Sequence, residues 1–360
     1  MKKIILTGGG TAGHVTPNIA LLPALEKEGF KVEYIGAVNG MEKGLVEKTG
    51  IPYYGVSTGK FRRQLNAKNL KNNFTDIFRV VSGIGEAKKL IGKIKPDVVF
   101  SKGGFVSVPV VLGAKLNGVP VIIHESDITP GLANKISMPF AEKVCASFPE
   151  TVQYTGGKGV YTGTPIREEL FKGDKEAGLS LCGFKGDKPV IMMMGGSQGS
   201  VKVNKFLRES LDDILKGFCV IHLCGKGNYD NSLEGREDYK QFEYASDELK
   251  DLFAACDIVV SRAGSNAINE FAALKKPSLL IPLPARNSRG DQLLNADSFK
   301  KQGFSMVLDE DTMTKESLTK AVYELFDNRH SFIEAMEKST ATNGIEAVMD
   351  IIMSVSGVKK

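Results

Sequence analysis

The chain has 360 residues, 42% hydrophobic and 25% charged, with a formal net charge of +5. That length exceeds one ordinary core and predicts two domains, and the near-average composition excludes disordered, collagenous and disulfide-scaffold classes. No apolar run approaches the roughly 18–20 residues that cross a bilayer, the apolar start after Lys2-Lys3 is too short for a signal peptide, and five cysteines without CxxC spacing read as reduced thiols, so a soluble, intracellular protein is expected.

In chain order, the first predicted strand is Lys3–Leu6, followed by the turn Thr7-Gly8-Gly9-Gly10 and a helix over Pro17–Glu28 with Gly29 as its stop signal. Further strands are expected at Val32–Gly36, Asp97–Phe100 and Val119–Ile123. A second series follows at Val190–Met194, Phe218–Leu223, Ile258–Ser261 and Ser278–Pro282. Each is short and almost wholly apolar, as in a parallel sheet buried on both faces. Their alternation with helices implies βαβ crossovers and an α/β, doubly wound, Rossmann-like sheet in each half. The join falls in the turn-rich stretch Tyr161-Thr162-Gly163-Thr164-Pro165. The expected domains are 1–163 and 164–343, facing each other across a cleft.

Charge is uneven. Residues 1–166 carry 21 basic and 12 acidic side chains, whereas residues 167–360 carry 26 and 30. Ten basic and two acidic side chains fall in residues 60–95 alone. Within that stretch Leu70, Phe74, Ile77, Phe78 and Val81 fall at i, i+4, i+7, i+8 and i+11, one helical stripe flanked by Lys60, Arg62, Arg63, Lys68, Lys71 and Arg79. The stripe reads either as core or as an interfacial helix on anionic lipid. No helix-turn-helix spacing, zinc ligand set or RNP-type aromatic motif supports nucleic acid as a partner.

Three glycine-rich turns follow predicted strands: Gly8–Gly13, Gly103-Gly104 and Gly195–Gly199. The first matches GxGxxG, but a nicotinamide site also needs an acidic residue at the end of the second strand, where Gly36-Ala37 stands. No Gly-Lys pair is followed by Ser or Thr, so a Walker A loop is absent. Backbone N–H groups at helix starts favour a diphosphate or lipid-diphosphate ligand. His14 follows the first turn, where a helix start keeps an imidazole neutral and able to accept a proton near pH 7. In the second half, Ser261-Arg262-Ala263-Gly264 runs into Ser265, Asn266, Ala267, Ile268, Asn269 and Glu270, whose carboxylate suits a ribose diol. Ser288–Ala296 forms another polar strand-to-helix corner. Asp309-Glu310-Asp311 spells a possible metal pair but reads as a turn before a helix capped near Thr314. No metal site and no cofactor are expected.

Taken together, Gly9-Gly10-Thr11-Ala12-Gly13-His14, Gly103-Gly104-Phe105-Val106-Ser107, Gly195-Gly196-Ser197-Gln198-Gly199 and Ser261-Arg262-Ala263-Gly264 resemble, in order and spacing, the MurG family of bacterial peptidoglycan N-acetylglucosaminyltransferases. The resemblance spans essentially the whole chain. It implies a GT-B fold with UDP-GlcNAc on the C-terminal domain, and inverting transfer of GlcNAc to the muramyl C4 hydroxyl of lipid I. The product would be lipid II, made by a peripheral enzyme at the cytoplasmic face of the cell membrane. It further implies that Ser197 and Arg167 contact the donor phosphates, that Ser265–Glu270 surrounds the uridine ribose, that Gln292 contacts a GlcNAc hydroxyl, and that Gly10, Thr11 and Ala12 belong to a sugar-binding loop. The uracil pocket falls near Ala245-Ser246. Three positions depart from the family pattern: Ala12 replaces a glycine, Asp127 an asparagine, and Asp291-Gln292 a Gln-Gln pair. The last helix, about 344–354, is expected to return to the N-terminal domain.

His14 is the first choice of general base, with a positioning role for His14 and Glu125 or Asp127 as base the alternative. Rival functions are diacylglycerol glycosylation on the same fold, UDP-GlcNAc epimerisation, and nucleotide binding without catalysis.

Overall fold

The computed structural model describes residues 2–59, 67–196, 199–287, 289–339 and 343–357, with backbone alone for 67–77 and for 287. The chain divides into two compact units, Met1–Arg167 with Asn343–Lys360, and Glu168–Thr342.

The first unit holds β1 (Lys3–Thr7), β2 (Lys31–Ala37), β3 (Tyr53–Val56), β4 (Val98–Ser101), β5 (Val121–Glu125), β6 (Lys143–Ala146) and β7 (Gly159–Tyr161). They pair parallel in the order β3-β2-β1-β4-β5-β6-β7. Successive strand side chains point to opposite faces, so Ile4 and Leu6 enter one core with Tyr34, Phe100 and Ile122, while Ile5 enters another with Ile35, Val99 and Ile123. The helix Ile345–Val355 completes the first of these cores by burying Val348, Met349, Ile352 and Met353. Gly344 opens it, donating its N–H to Thr164 O at 2.9 Å; a Cβ there would stand 2.8 Å from the Gly163 carbonyl.

The second unit repeats the plan with β8 (Val190–Met194), β9 (Cys219–Leu223), β10 (Tyr239–Phe242), β11 (Ile258–Ser261), β12 (Ser278–Leu280) and β13 (Ser305–Val307), again parallel, in the order β10-β9-β8-β11-β12-β13. One face packs against the helices Val201–Ile214 and Lys315–Asp327 through Leu207, Leu211, Leu318 and Val322. Ser200 and Thr314 cap these two helices, the second through a reciprocal pair with Ser317. In both units the strand order reverses beside the first strand, between β1 and β4 and between β8 and β11. Open α/β sheets bind ligands at such switch points.

Two expectations change. The helix expected over Pro17–Glu28 is two helices, Thr16–Ala20 and Leu22–Lys27. Pro23 has no N–H to donate to Ile19 O, so the ladder breaks at Leu21. Strands β3, β6, β7 and β10 escape the apolar-run criterion because they lie at or near sheet edges and are short; β3, β7 and β10 carry half-exposed or polar residues.

Candidate functional site

In the first unit the turns after β1 and β4 pack directly on one another. Gly104 adopts φ +81°, and a Cβ there would lie 2.3 Å from Gly9 O and 3.0 Å from His14 Nδ1. Only glycine lets the two turns approach this closely. His14 ends the short 3₁₀ turn Ala12–His14. Its Nδ1 lies 3.0 Å from Gly9 O and 3.1 Å from Thr11 Oγ1. A carbonyl can only accept, which assigns a proton to Nδ1. Gly10, Thr11 and Ala12 are exposed beside it.

A buried carboxylate also holds the Gly8–Gly13 turn. The Gly10 N–H already donates to Glu42 Oε2 at 3.2 Å, and Ala37 N–H donates to Oε1 at 2.9 Å. Glu42 is fully buried and ties the turn to the end of β2 from below.

Behind the second turn, Lys102 is buried and donates from Nζ to His124 Nδ1 at 2.7 Å and to Ser126 Oγ. His124 Nε2–H in turn donates to Gly163 O at 3.0 Å. Burial pushes the Lys102 amine down to about 7 against the opposing pull of Glu125 and Asp127. Burial and the neighbouring Lys102 hold the His124 imidazole well below its ordinary value, and therefore neutral. Glu125 accepts from Asp127 N–H (3.0 Å), Gly131 N–H (3.1 Å) and Asn134 Nδ2 (2.8 Å). Burial raises its carboxyl above the usual range. Its oxygens hold the loop after β5. Asp127 is half-buried on that loop, its carbonyl accepting from Thr151 Oγ1.

In the second unit a pocket of about 500 Å³ opens outside the carboxyl ends of β8 and β11. Gly195, Gly196 and Ser200 line one side, and Ser261, Arg262, Gly264 and Ala267 another. Gly199 has φ +73°, and a Cβ there would meet Cys224 O at 2.1 Å. Arg262 is pinned: it pairs with the buried Glu310 and donates to Ser200 Oγ (2.7 Å) and Ile281 O (3.1 Å). Lys202 Nζ lies 3.8 Å from Glu310 and from Asp311, and Arg286 pairs with Asp311. Gln292 accepts the Leu283 N–H at 2.9 Å, which turns its amide NH₂ the other way. The adjacent Asp291 is paired with Arg289 at 2.6 Å.

The predicted ribose segment divides. Ile268 and Asn269 are buried, Ile268 fully and Asn269 with its amide on Ser265 O at 2.8 Å, and Ser265 is buried as well. Asn266, Ala267 and Glu270 lie half-exposed on one helical face. Ser246 is exposed in the loop beyond the edge strand β10 and is absent from the pocket lining. Arg167, half-buried, ends the first unit. Ser197 lies outside the described residues. Nothing in the local sequence marks Lys202, Arg286, Glu42 or Lys102 as site residues. Glu310 was visible only as the middle of a turn, although the turn itself is present, Asp309 accepting the Asp311 N–H at 2.8 Å. Among the described residues no cluster of three or more His, Cys, Asp or Glu is arranged to hold a metal ion.

Phe78 and Val81 are each 62% exposed on the helix Ala67–Ile94. The side chains of Leu70, Phe74 and Ile77 lie outside the described residues. Glu86 pins this helix to the end of β3 by accepting from Ser57 N–H (2.7 Å) and Oγ (2.9 Å), so Phe78 and Val81 sit at the carboxyl edge of the sheet, the edge that carries His14. Among the described residues no helix is long and apolar enough to cross a membrane.

The family profile of the glycosyltransferase family 28 N-terminal domain matches residues 4–146, and that of the C-terminal domain matches residues 190–352. The chain belongs to glycosyltransferase family 28. It is similar to a UDP-N-acetylglucosamine–N-acetylmuramyl-(pentapeptide) pyrophosphoryl-undecaprenol N-acetylglucosamine transferase of Lachnospira eligens, 59% identical and covering 98% of this chain and 99% of that one. A Clostridium botulinum protein of the same name is 54% identical over the same shares. The crystal structure of Acinetobacter baumannii MurG superposes with a TM-score of 0.74 at 26% identity, covering 98% of this chain and 100% of that one. The two parallel sheets are thus the two Rossmann-like domains of a family 28 enzyme with the GT-B fold.

Proposed function

We propose that this chain moves N-acetylglucosamine from UDP-N-acetylglucosamine to the N-acetylmuramyl C4 hydroxyl of an undecaprenyl-pyrophosphoryl pentapeptide precursor, lipid I, forming lipid II. The observation that carries this reading is the near-full-length identity of 59% with a relative of that name. The charged β8/β11 pocket and the imidazole at the β1/β4 turns support it.

The donor belongs to the second unit. The Val201–Ile214 helix directs its positive end at the pocket, and Lys202, Arg262 and Arg286 add charge where the departing diphosphate gathers it. Ser197 and Arg167 are carried over as further phosphate contacts. Asn266, Ala267 and Glu270 face the ribose, Gln292 reaches a sugar hydroxyl, and Ser246 marks the uracil side. In the first unit His14 Nε2 takes the proton of the attacking hydroxyl while Gly10, Thr11, Ala12 and Asp127 frame it. Attack in line with the departing UDP inverts the anomeric centre. The enzyme is peripheral to the membrane: the acceptor's polyprenyl tail stays in the bilayer, and the stripe of Phe74, Ile77, Phe78 and Val81 brings the cytoplasmic-face enzyme to it.

The test offers labelled UDP-GlcNAc with a lipid I analogue or with diacylglycerol. Label in the first product alone supports the reading. Label in diacylglycerol, or epimerised nucleotide sugar without transfer, overturns it.

A further inference from the structure

We propose that Glu42 is a positioning residue for His14, acting through the Gly9–Gly10 peptide. The inference rests on the reading of His14 as the general base. Its geometry lies within one peptide plane. The Gly10 N–H donates to Glu42 Oε2 at 3.2 Å, and the carbonyl of the same peptide, Gly9 O, receives His14 Nδ1–H at 3.0 Å. Carboxylate, amide and imidazole thus form one chain of hydrogen bonds, each polarising the next. A negative charge at the N–H end of the amide deepens the negative charge on its carbonyl oxygen, the atom that fixes the His14 tautomer. The arrangement does the work of a carboxylate bonded directly to an imidazole, with a peptide inserted between them.

Two glycines make room for it. A Cβ at Gly9 would lie 2.5 Å from the Glu42 carboxyl carbon, and one at Gly40 would lie 2.0 Å from its Oε1. Gly10, between Gly9 and His14, takes φ +84°, and a Cβ there would lie 2.6 Å from the Phe105 ring. During transfer the acceptor O–H bond breaks, its proton passes to Nε2, the new C1–O bond forms, and UDP leaves with the bonding pair. Glu42 receives no proton; it stabilises the imidazolium from behind.

Other titratable groups border this chain. Tyr34 on β2 and Tyr53 on β3 face Glu42, and burial raises both phenols well above their ordinary value, so they stay neutral. Glu47 lies beyond Tyr53. Lys102, whose Cβ approaches the Gly8 position, titrates near neutrality. A readout specific to His14 is therefore required.

Glu42→Gln keeps the shape and removes the charge. The expected result is a kcat about tenfold lower, an acidic limb of the kcat–pH profile displaced to lower pH, and an unchanged donor Kd. In ¹⁵N-histidine spectra, with the His14 signal assigned by its loss in His14→Ala, the His14 titration moves to lower pH in the same direction. In the His14→Ala background Glu42→Gln costs nothing further, because the two act as one unit. An equal loss in both backgrounds, or an unmoved His14 titration, overturns the proposal while leaving His14 as base. A His14→Ala kcat within threefold of wild type overturns the base reading itself. Should Glu42→Gln fail to fold, Glu42→Asp decides, since it keeps the charge but shortens its reach: a His14 titration displaced to lower pH supports the proposal and an unmoved one overturns it.

Discussion

Arg262 joins four separate pieces of the second unit: the start of the Val201–Ile214 helix at Ser200, the ends of β11 and β12, and Glu310 after β13. Replacing it with methionine strands a buried carboxylate, and breaking a buried pair in this way costs about 3–5 kcal/mol. Denaturant unfolding of Arg262→Met should register that loss together with weakened donor binding. Glu270 behaves differently because it is half-exposed and outside the core. Glu270→Ala should leave unfolding unchanged and weaken UDP-GlcNAc roughly ten- to a hundredfold, for a loss of ~1.5–3 kcal/mol; an unchanged Kd by calorimetry would remove it from the site. Lys102 supplies a pH test. Its amine is held down to about 7 from an ordinary 10.5, so over that window the unfolded chain binds more protons than the folded one. Stability relative to Lys102→Met should therefore be flat below pH 7 and rise as pH climbs toward 10.5, and a falling difference would contradict the assignment. The glycine motifs announced the turns in the sequence, but not the partners. Glu42 and Glu310 reach their sites from distant chain segments, and nothing in local spacing pairs Glu42 with Gly10 or Glu310 with Arg262.

At the scale of elements, the buried central strands were legible because sheets covered on both faces demand apolar runs. Strands β8 and β11 fall on the bounds read from sequence, Val190–Met194 and Ile258–Ser261. Edge strands such as β7 and β10 had no such signature, since half of their side chains need no burial. The Leu21 break shows the complementary failure: an apolar period ran on through Pro23, and the missing N–H decided the backbone. The Ala67–Ile94 helix carries the membrane expectation, and the exposure of Phe78 and Val81 favours the interfacial reading over a core one. Replacing Phe74 and Phe78 with Ser should reduce binding to anionic vesicles while sparing activity on a short-chain, water-soluble acceptor. Wild-type binding should weaken with added salt, since each basic residue near the surface contributes ~1 kcal/mol. Sedimentation with vesicles checks both points; undiminished binding by the double variant would move the membrane face elsewhere.

The whole molecule is two copies of one topological plan, and that plan was readable from the alternation of strands, turns and helices. What separates the copies is chemistry at the same topological point. One switch point lines a pocket with backbone, lysine and arginine. The other anchors its turn to the buried Glu42 and presents an imidazole. The two units also share the chain unequally, since the last helix belongs to the first unit. Burial of Val348, Met349, Ile352 and Met353 is worth ~1.5–3 kcal/mol for each side chain. Deleting residues 343–360 should thus expose the first unit to proteolysis, and a truncated chain as resistant as the full one would deny that helix its place in the core.

Inverting transfer of GlcNAc to the lipid-linked muramyl sugar leaves its record in the linkage of the product. With UDP-GlcNAc labelled with ¹³C at the anomeric carbon and a soluble lipid I analogue, NMR of the product should show a single β-configured linkage to the muramyl C4 oxygen. His14→Ala should form the same product with kcat reduced about 10²–10⁴-fold. An α-configured linkage, attachment at another hydroxyl, or release of free GlcNAc with no disaccharide would contradict the account.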